Sequence, residues 1–330
     1  MQSAQVKLEE IATSYRQSCL LFGALELGIF DRLVSSETPS SIAELSDFLG
    51  LQDYKTRTLV NCLLQMNLLE LTSDGKVAAA AVWSEVKDQN AIAGLINYRD
   101  EFEEWIKLAD LFRNGQKVSR EYGTFNSDHI DSYLDMVKMS NYVRTEALAS
   151  LLIDQLGTIN SILDVGGGHG LYSQRLLERN DTAYASLFDL PPAIAYARRT
   201  LPDAIMQHVS LIEGDARELE IEPRFELTMI NDLLHSFGHA DKRKIVENAV
   251  RATQSGGWIC IGKYQMSDSS PGAPGNNNIF SAKMILNSKE GYLESNEEVL
   301  ELLAECGVTG AEVHSIKHDI PSVAVLGRVA

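Results

Sequence analysis

Asp164-x-Gly166-x-Gly168-x-Gly170 joins an apolar run that starts at Ser161 and ends in the acid to a helix-like segment from Leu171 to Arg179. A buried strand that opens through a tight glycine turn into a helix N-terminus makes a nucleotide-binding corner. The glycines let backbone approach a ligand, and the helix end presents free N–H groups. The spacing narrows the chemistry. Leu171, not glycine, stands three places after Gly168, so the dinucleotide pattern G-x-G-x-x-G is not met, and no G-x-x-x-x-G-K-[ST] offers a phosphate cradle. Two further acids end apolar runs. Asp189 closes Ala183 to Asp189, near the roughly 20-residue offset at which doubly wound folds place a carboxylate on ribose hydroxyls. Asp215, preceded by Gly214, closes His208 to Asp215, where a carboxylate can accept from an adenine amino group. A fourth run, Phe225 to Asn231, is followed by His235, whose ordinary pKa suits proton abstraction near neutral pH. His239 lies four residues on, a spacing that can serve a metal. No third ligand accompanies the pair and Gly238 suggests a turn, so no metal centre is expected.

These residues need a sheet to hold them. The four runs, with Gly257 to Lys263 and Ser322 to Gly327, alternate with helix-like segments such as Asp241 to Ala252 and Ser295 to Cys306. Such alternation predicts an α/β domain with a parallel sheet wound on both faces. Its carboxyl edge, where ligands of open sheets bind, would carry Asp164, Asp189, Asp215 and His235. The front of the chain reads differently. Apolar residues recur at helical spacing from Val6 to about Leu71, Ser41 and Glu44 form a capping-box pattern, and Leu68 to Val77 reads as a hairpin with Asp74-Gly75 at its turn. Helices followed by a hairpin describe a mainly helical winged-helix arrangement. The expected organisation is residues 1–95 as a winged-helix-like dimerisation domain, 96–150 as a helical connector, and 151–330 as the cofactor-binding catalytic domain. In the connector, Phe102, Trp105, Phe125, Met136 and Met139 are candidates to line a substrate cavity. Ser267 to Asn278, rich in Ser, Pro, Gly and Asn, reads as a loop over the active site.

Composition argues against several other functions. At 330 residues, with 45% apolar and 23% charged residues, the chain can bury two ordinary globular cores. A net charge of −17 opposes nucleic-acid binding, which draws on clustered Lys and Arg. The candidate recognition helix, Tyr54 to Leu69, agrees: Lys55 and Arg57 are its cations, and its body is mostly apolar. No apolar run approaches the ~20 residues needed to cross a bilayer, and nothing near the start reads as a signal-peptide core. Cys19, Cys62, Cys260 and Cys306 lack C-x-x-C spacing and read as reduced thiols of a cytoplasmic protein.

Leu163-Asp-Val-Gly-Gly-Gly-His-Gly170, Phe188-Asp-Leu-Pro191, Gly214-Asp215 and Leu233-Leu-His-Ser-Phe237, behind a helical front, carry a family resemblance. The chain resembles the plant caffeic-acid-type O-methyltransferases and their bacterial relatives that act on antibiotics and pigments, over nearly its whole length. The acid-and-glycine corner is similar to the S-adenosylmethionine (SAM) loop of class I methyltransferases. The resemblance implies SAM as cofactor, held by Asp164, Gly166, Gly168 and Gly170 at the first corner and by Asp189 and Leu190 at the second. Gly214, Asp215 and Ala216 would serve at the third, and Asn231 at the fourth. It further implies a homodimer whose front domains interlock, a small-molecule substrate in specialised metabolism, and His235 as the general base. Asn287 joins the connector residues as a candidate substrate contact.

The chain also departs from that pattern. Plant members follow the base with an acid and a tryptophan, whereas Ser236 and Phe237 stand here. They place glutamates at the end of the fifth strand and before the last helix. In register those positions hold Lys263 and Leu293, with Glu294 one residue away. Trading carboxylates for an ammonium and an alkyl group lowers the histidine pKa and favours an anionic substrate. Lys263 is therefore a second catalytic candidate, able to pair with a carboxylate or enolate. Methyl transfer to oxygen leads, with nitrogen or carbon as other acceptors. The alternative is a methyltransferase-like enzyme that keeps SAM as a fixed positive charge and decarboxylates or closes a ring without moving the methyl.

Overall fold

The computed structural model describes residues 3–35, 37–85, 91–114, 127–222, 224–267, 277–288, 290–318 and 320–330, so Phe125 and most of the segment from Ser267 to Asn278 lie outside the described residues. Two compact units are present, Met1–Phe102 and Glu103–Ala330.

In the first unit, α1 (Ala4–Thr13), α2 (Tyr15–Leu27), α3 (Ile42–Leu49) and α4 (Asp53–Gln65) precede a hairpin of β1 (Leu69–Leu71) and β2 (Val77–Ala79), and α5 (Val82–Glu85) follows. The capping box starts α3: Glu44 N donates to Ser41 Oγ at 3.2 Å, and Ser41 N donates to Glu44 Oε2 at 2.7 Å. Leu45, Val60 and Leu63 from α3 and α4 meet Ala24, Phe30 and Leu33 in one core. Trp83 of α5 seals it, 4.6 Å from the Phe30 ring, and donates its indole N–H to Leu68 O at 2.8 Å. Helix, helix and hairpin in this order form the winged-helix arrangement expected from the sequence.

The boundary between the units falls within α6 (Ala91–Trp105). The second unit then adds α7 (Leu108–Asn114), α8 (Ser127–Leu156), β3 (Ser161–Val165), α9 (Leu171–Leu177), β4 (Tyr184–Asp189) and α10 (Pro191–Thr200). It continues through α11 (Asp203–Met206), β5 (Val209–Glu213), β6 (Phe225–Asn231), α12 (His239–Ala252) and β7 (Thr253–Tyr264). It closes with α13 (Asn278–Asn287), α14 (Asn296–Glu305), β8 (Val308–Ile316) and β9 (Ser322–Val329). The strands form one seven-stranded sheet in the order β5-β4-β3-β6-β7-β9-β8. Alternation along each strand feeds two cores. Leu163, Val165, Ile259 and Ile261 face Ile245 and Val246 of α12 and Val299 and Leu303 of α14. Ile162, Leu227, Met229 and Cys260 face Leu148 and Leu152 of α8 and Tyr172 and Leu176 of α9. The sheet is thus wound on both faces, as the apolar runs required.

One feature differs from the sequence expectation. The sheet is not wholly parallel, because β9 runs antiparallel to both β7 and β8. The strand β8 has no clear apolar run: it is an edge strand, half exposed, with a register shift between Thr309 and Glu312 around Gly310, whose φ is +60°. The order reverses at β3, from which β4 and β5 extend to one side and β6 and β7 to the other. A ligand crevice forms at the carboxyl ends beside such a reversal.

Candidate active site

Residues following β3, β4, β5 and β6 enclose a cavity of about 420 Å³, a size suited to a nucleoside cofactor. One wall is helical: Ile130, Leu134, Val137 and Asn141 share a face of α8. The floor is the loop Gly166 to His169, whose first residue takes φ +72° and has its N–H on Phe188 O at 2.8 Å. A Cβ at Gly166 would lie 2.8 Å from the Leu233 side chain, so this position needs glycine twice over. Gly214, which also lines the cavity, has no room for a Cβ against the Phe188 ring. His169 lines the cavity as a neutral imidazole. Burial and Lys138 push its pKa down to about 4, and Nδ1 accepts from Leu171 N at 3.0 Å, so the proton sits on Nε2.

The acids take distinct places. Asp189 Oδ2 accepts from Gly168 N and Oδ1 from Leu190 N, each at 2.7 Å, which fixes the glycine loop to the end of β4. Burial nevertheless pushes the Asp189 carboxyl up to about 6. If the ionised form holds both the loop and the cofactor, S-adenosylhomocysteine (SAH) affinity measured by calorimetry should fall as pH drops through about 6, with a proton released on binding below it. Asp189→Asn should bind more weakly throughout and lose that pH dependence. Asp164 is fully buried beneath the loop, accepts from Ser173 Oγ at 2.7 Å, and does not line the cavity. Gly170 caps α9 at φ +72° and is likewise outside the lining. These two shape the corner from behind. Asp215 caps the turn Ala216–Glu218 by accepting from Arg217 N at 2.9 Å, and pairs with Arg217 Nη2 at 2.6 Å, which holds its pKa below the usual range. Arg217 reaches Asp241 at 3.4 Å and lies 5.7 Å over the Phe237 ring at the same end of the cavity.

Asn231 ends β6 against the cavity. It is only 4% exposed, yet neither Oδ1 nor Nδ2 has a hydrogen-bond partner among the described residues, and a Cβ at Gly262 would overlap Oδ1. Asn231 itself lines the cavity, with its amide turned toward Gly262 of β7. The cavity's size, its glycine floor, Asp189 and this amide fit SAM.

His235 lies in the single turn Leu234–Ser236 that follows, between Leu233 and Ser236, both of which line the cavity. Its ring meets the edge of Phe280 of α13 at 5.0 Å, and Phe280 packs 4.3 Å from Tyr264 at the end of β7. Burial lowers the His235 pKa. The carboxylates of Asp232 and Glu294 push back upward, while Lys242 and Arg144 push further down. Each carboxylate has its own buried cation: Arg144 Nη2 lies 2.8 Å from Asp232 Oδ1, and Lys242 Nζ lies 3.0 Å from Glu294 Oε1. The imidazole is therefore held neutral between two ion pairs of zero net charge. Leu293 is core, and Glu294 is the residue before the last helix whose charge reaches the histidine.

Lys263, near the end of β7, is 2% exposed, lies outside the lining of the cofactor cavity, and donates to Asn296 Oδ1 at 3.1 Å without pairing with a carboxylate among the described residues. Burial pushes its pKa down to about 8 although Glu294 and Glu298 oppose this. The connector candidates are scattered. Phe102 is in the first unit, where it meets Phe22 edge-on at 6.0 Å. Trp105 ends α6, and Met136 and Met139 sit on a face of α8 other than the one lining the cavity. Asn287 ends α13. Sequence reasoning missed Arg144, Asp232, Tyr172 and Lys242; their signal was a charged or polar residue at an apolar-face helical position or beside a strand end.

A family model for an O-methyltransferase domain matches residues 105–309. The chain belongs to this O-methyltransferase family. Acetylserotonin O-methyltransferase from Bos taurus is 24% identical over 318 residues, 91% of each chain. The tetracenomycin polyketide synthesis 8-O-methyl transferase of Streptomyces glaucescens is 21% identical over 97% of this chain and 95% of its own. The structure of human N-acetylserotonin methyltransferase in complex with SAM superposes with a TM-score of 0.87 at 19% identity, covering 100% of this chain and 99% of that one. This methyltransferase is SAM-dependent and acts on a small molecule. No helix among the described residues is long and apolar enough to cross a membrane.

Proposed function

We propose that this enzyme methylates a hydroxyl oxygen of a small specialised metabolite, with His235 as the general base. The observation that supports it most is the placement of a buried, neutral imidazole between two cavity-lining residues, Leu233 and Ser236, at the carboxyl edge of the sheet. SAM, when bound, supplies a methyl already made electrophilic by its sulfonium. Asp189 would accept from the ribose hydroxyls, the Asp215–Arg217 end would meet the adenine, and the Asn231 amide would hold a polar group at the other end. His235 then takes the acceptor's hydroxyl proton, a role that typically contributes about 10²–10⁴-fold. Alignment of acceptor oxygen and methyl by the cavity walls can contribute up to about 7–11 kcal/mol in ideal cases. The non-methylating alternative is not favoured, since the family match is to an O-methyltransferase domain.

The acceptor carries an anionic group that Lys263 receives: this buried amine is hydrogen-bonded to Asn296 and pairs with no carboxylate among the described residues. For a carboxylated acceptor, Lys263→Met should raise KM at least tenfold with kcat within about threefold, while the neutral amide analogue of the same acceptor shows no such change. The segment 96–150 serves as connector and contributes the α8 wall. The first unit serves dimerisation, in keeping with exposed Leu8 and Ile11 on α1, and the free cysteines suit a cytoplasmic setting. The reading as a whole is tested by turnover with ¹³C-methyl SAM. Label in an O-methyl resonance with one SAH per product supports it; label on nitrogen or carbon, or substrate loss with SAM intact, overturns it.

A further inference from the structure

The residues between the cofactor cavity and His235 form an unusual buried network. Arg144 projects from the middle of α8 and is 1% exposed. Its Nη2 donates to Asp232 Oδ1 at 2.8 Å and its Nη1 to Asn141 Oδ1 at 3.2 Å. Tyr172 of α9 donates its hydroxyl to Asp232 Oδ2 at 2.9 Å, and Asp232 N donates to Gly262 O at 2.9 Å. Both carboxylate oxygens and the backbone of Asp232 are thereby fixed, at a φ of +52° that a non-glycine residue adopts only when its surroundings impose it. The turn that carries His235 begins two residues later. The same Arg144 guanidinium lies 4.7 Å over the Tyr264 ring, behind the Phe280 edge that meets the imidazole.

We infer that the Arg144–Asp232 pair is a positioning device for His235: it fixes the turn that carries the imidazole, places two opposed charges near it, and ties it to the helix walling the cofactor cavity. The inference deepens the reading of His235 as base and rests on it for its catalytic meaning. Geometry favours it over a purely structural role. A packing pair needs only mutual contact, whereas this one touches the cavity through Asn141 and Asp232 and backs the aromatic wall against the imidazole. The groups whose charge reaches the imidazole come from every packed element: Asp232 after β6, Glu294 before α14, Lys242 on α12 and Arg144 on α8. From α13 it meets the apolar Phe280. Lys263 on β7 feels the same Glu294 and Arg144.

Opposed charges held close to the imidazole give opposed signs, whereas a pair that packs away from it would move neither. The measurement is an NMR titration of cofactor-free protein carrying histidine labelled at Cε1, with the His235 resonance assigned by its loss in His235→Gln. Arg144→Met removes a cation and should raise the His235 pKa by about half a pH unit or more. Asp232→Asn removes an anion and should lower it by a similar amount. The double variant removes both and should return it close to the wild-type value. Thermal melts accompany each titration, and Arg144→Gln, which keeps a hydrogen bond but not the charge, replaces Arg144→Met if the latter does not fold. Single variants that shift the pKa in the same direction, or not at all, would overturn the inference. The acid limb of kcat separates this from the base assignment: if NMR values move as expected while that limb stays put, the charge setting stands and His235 is not the base.

Discussion

Replacing His235 by alanine is expected to lower kcat by about 10²–10⁴-fold while SAH binding changes by less than about twofold. The asymmetry follows from position. His235 does not line the cofactor cavity, but its turn is framed by Leu233 and Ser236, which do. Its ring is buried against Phe280, so the alanine leaves an apolar gap and no competing base. Lys263, the second catalytic candidate, is pushed down to about 8 and is mostly protonated at neutral pH. Activity of the variant should therefore recover partially as pH rises through about 8, a limb the wild type lacks. Steady-state kinetics across pH 6–9 with calorimetric SAH binding checks both statements. Unchanged kcat with intact folding would remove the histidine from the chemistry.

Glu294→Gln should give the largest loss of stability. Glu294 and Lys242 are 3% and 1% exposed, and the other contacts of Lys242 among the described residues are Tyr292 O at 3.1 Å and the Tyr292 ring at 3.3 Å. Removing one partner of a buried pair leaves the other charge uncompensated, at a cost of about 3 kcal/mol or more. The pH dependence has a definite sign. Burial already lowers the Lys242 pKa, and loss of its carboxylate lowers it further, so the folded state binds fewer protons than the unfolded chain. Stability of the variant then rises with pH below the ordinary lysine value of 10.5, and its deficit against wild type narrows on the alkaline side. Denaturant melts at pH 7 and pH 9 measure this. The same change removes a charge that raises the His235 pKa, so the acid limb of kcat should move to lower pH.

The strands and their acids were legible because a buried parallel strand leaves an uninterrupted apolar run. β6 spans the residues expected, and β3 and β4 lie within theirs. The capping box of Ser41 with Glu44 was legible from local chemistry alone, and the start of α14 after Ser295 likewise, although its capping box with Glu298 shows only in the structure. The edge strand β8 was not, since its outward residues are polar and Gly310 breaks its register. Within the candidate site, the glycine corner, Asp189, Asp215 and Asn231 sit where their strand ends place them. Residues contributed by distant helices could not be read. Arg144 meets Asp232 across 88 positions and Lys242 meets Tyr292 across 50, and only the folded sheet brings them to the histidine. Leu293 and Glu294 show the limit of register arguments in a loop, where one residue decides between the core and the site.

The most direct test is a single-turnover reaction of enzyme preloaded with methyl-labelled SAM, followed for wild type and His235→Gln from pH 5 to 9 by mass spectrometry of both products. The expected result in wild type is one SAH for each O-methylated acceptor, with a rate that falls toward acid about a midpoint below 6.5, the direction in which burial moves this imidazole. The variant should be about 10²–10⁴-fold slower and show no such limb. Acceptor consumed without SAH, or a variant that keeps the wild-type rate and acid limb, would contradict methyl transfer driven by His235.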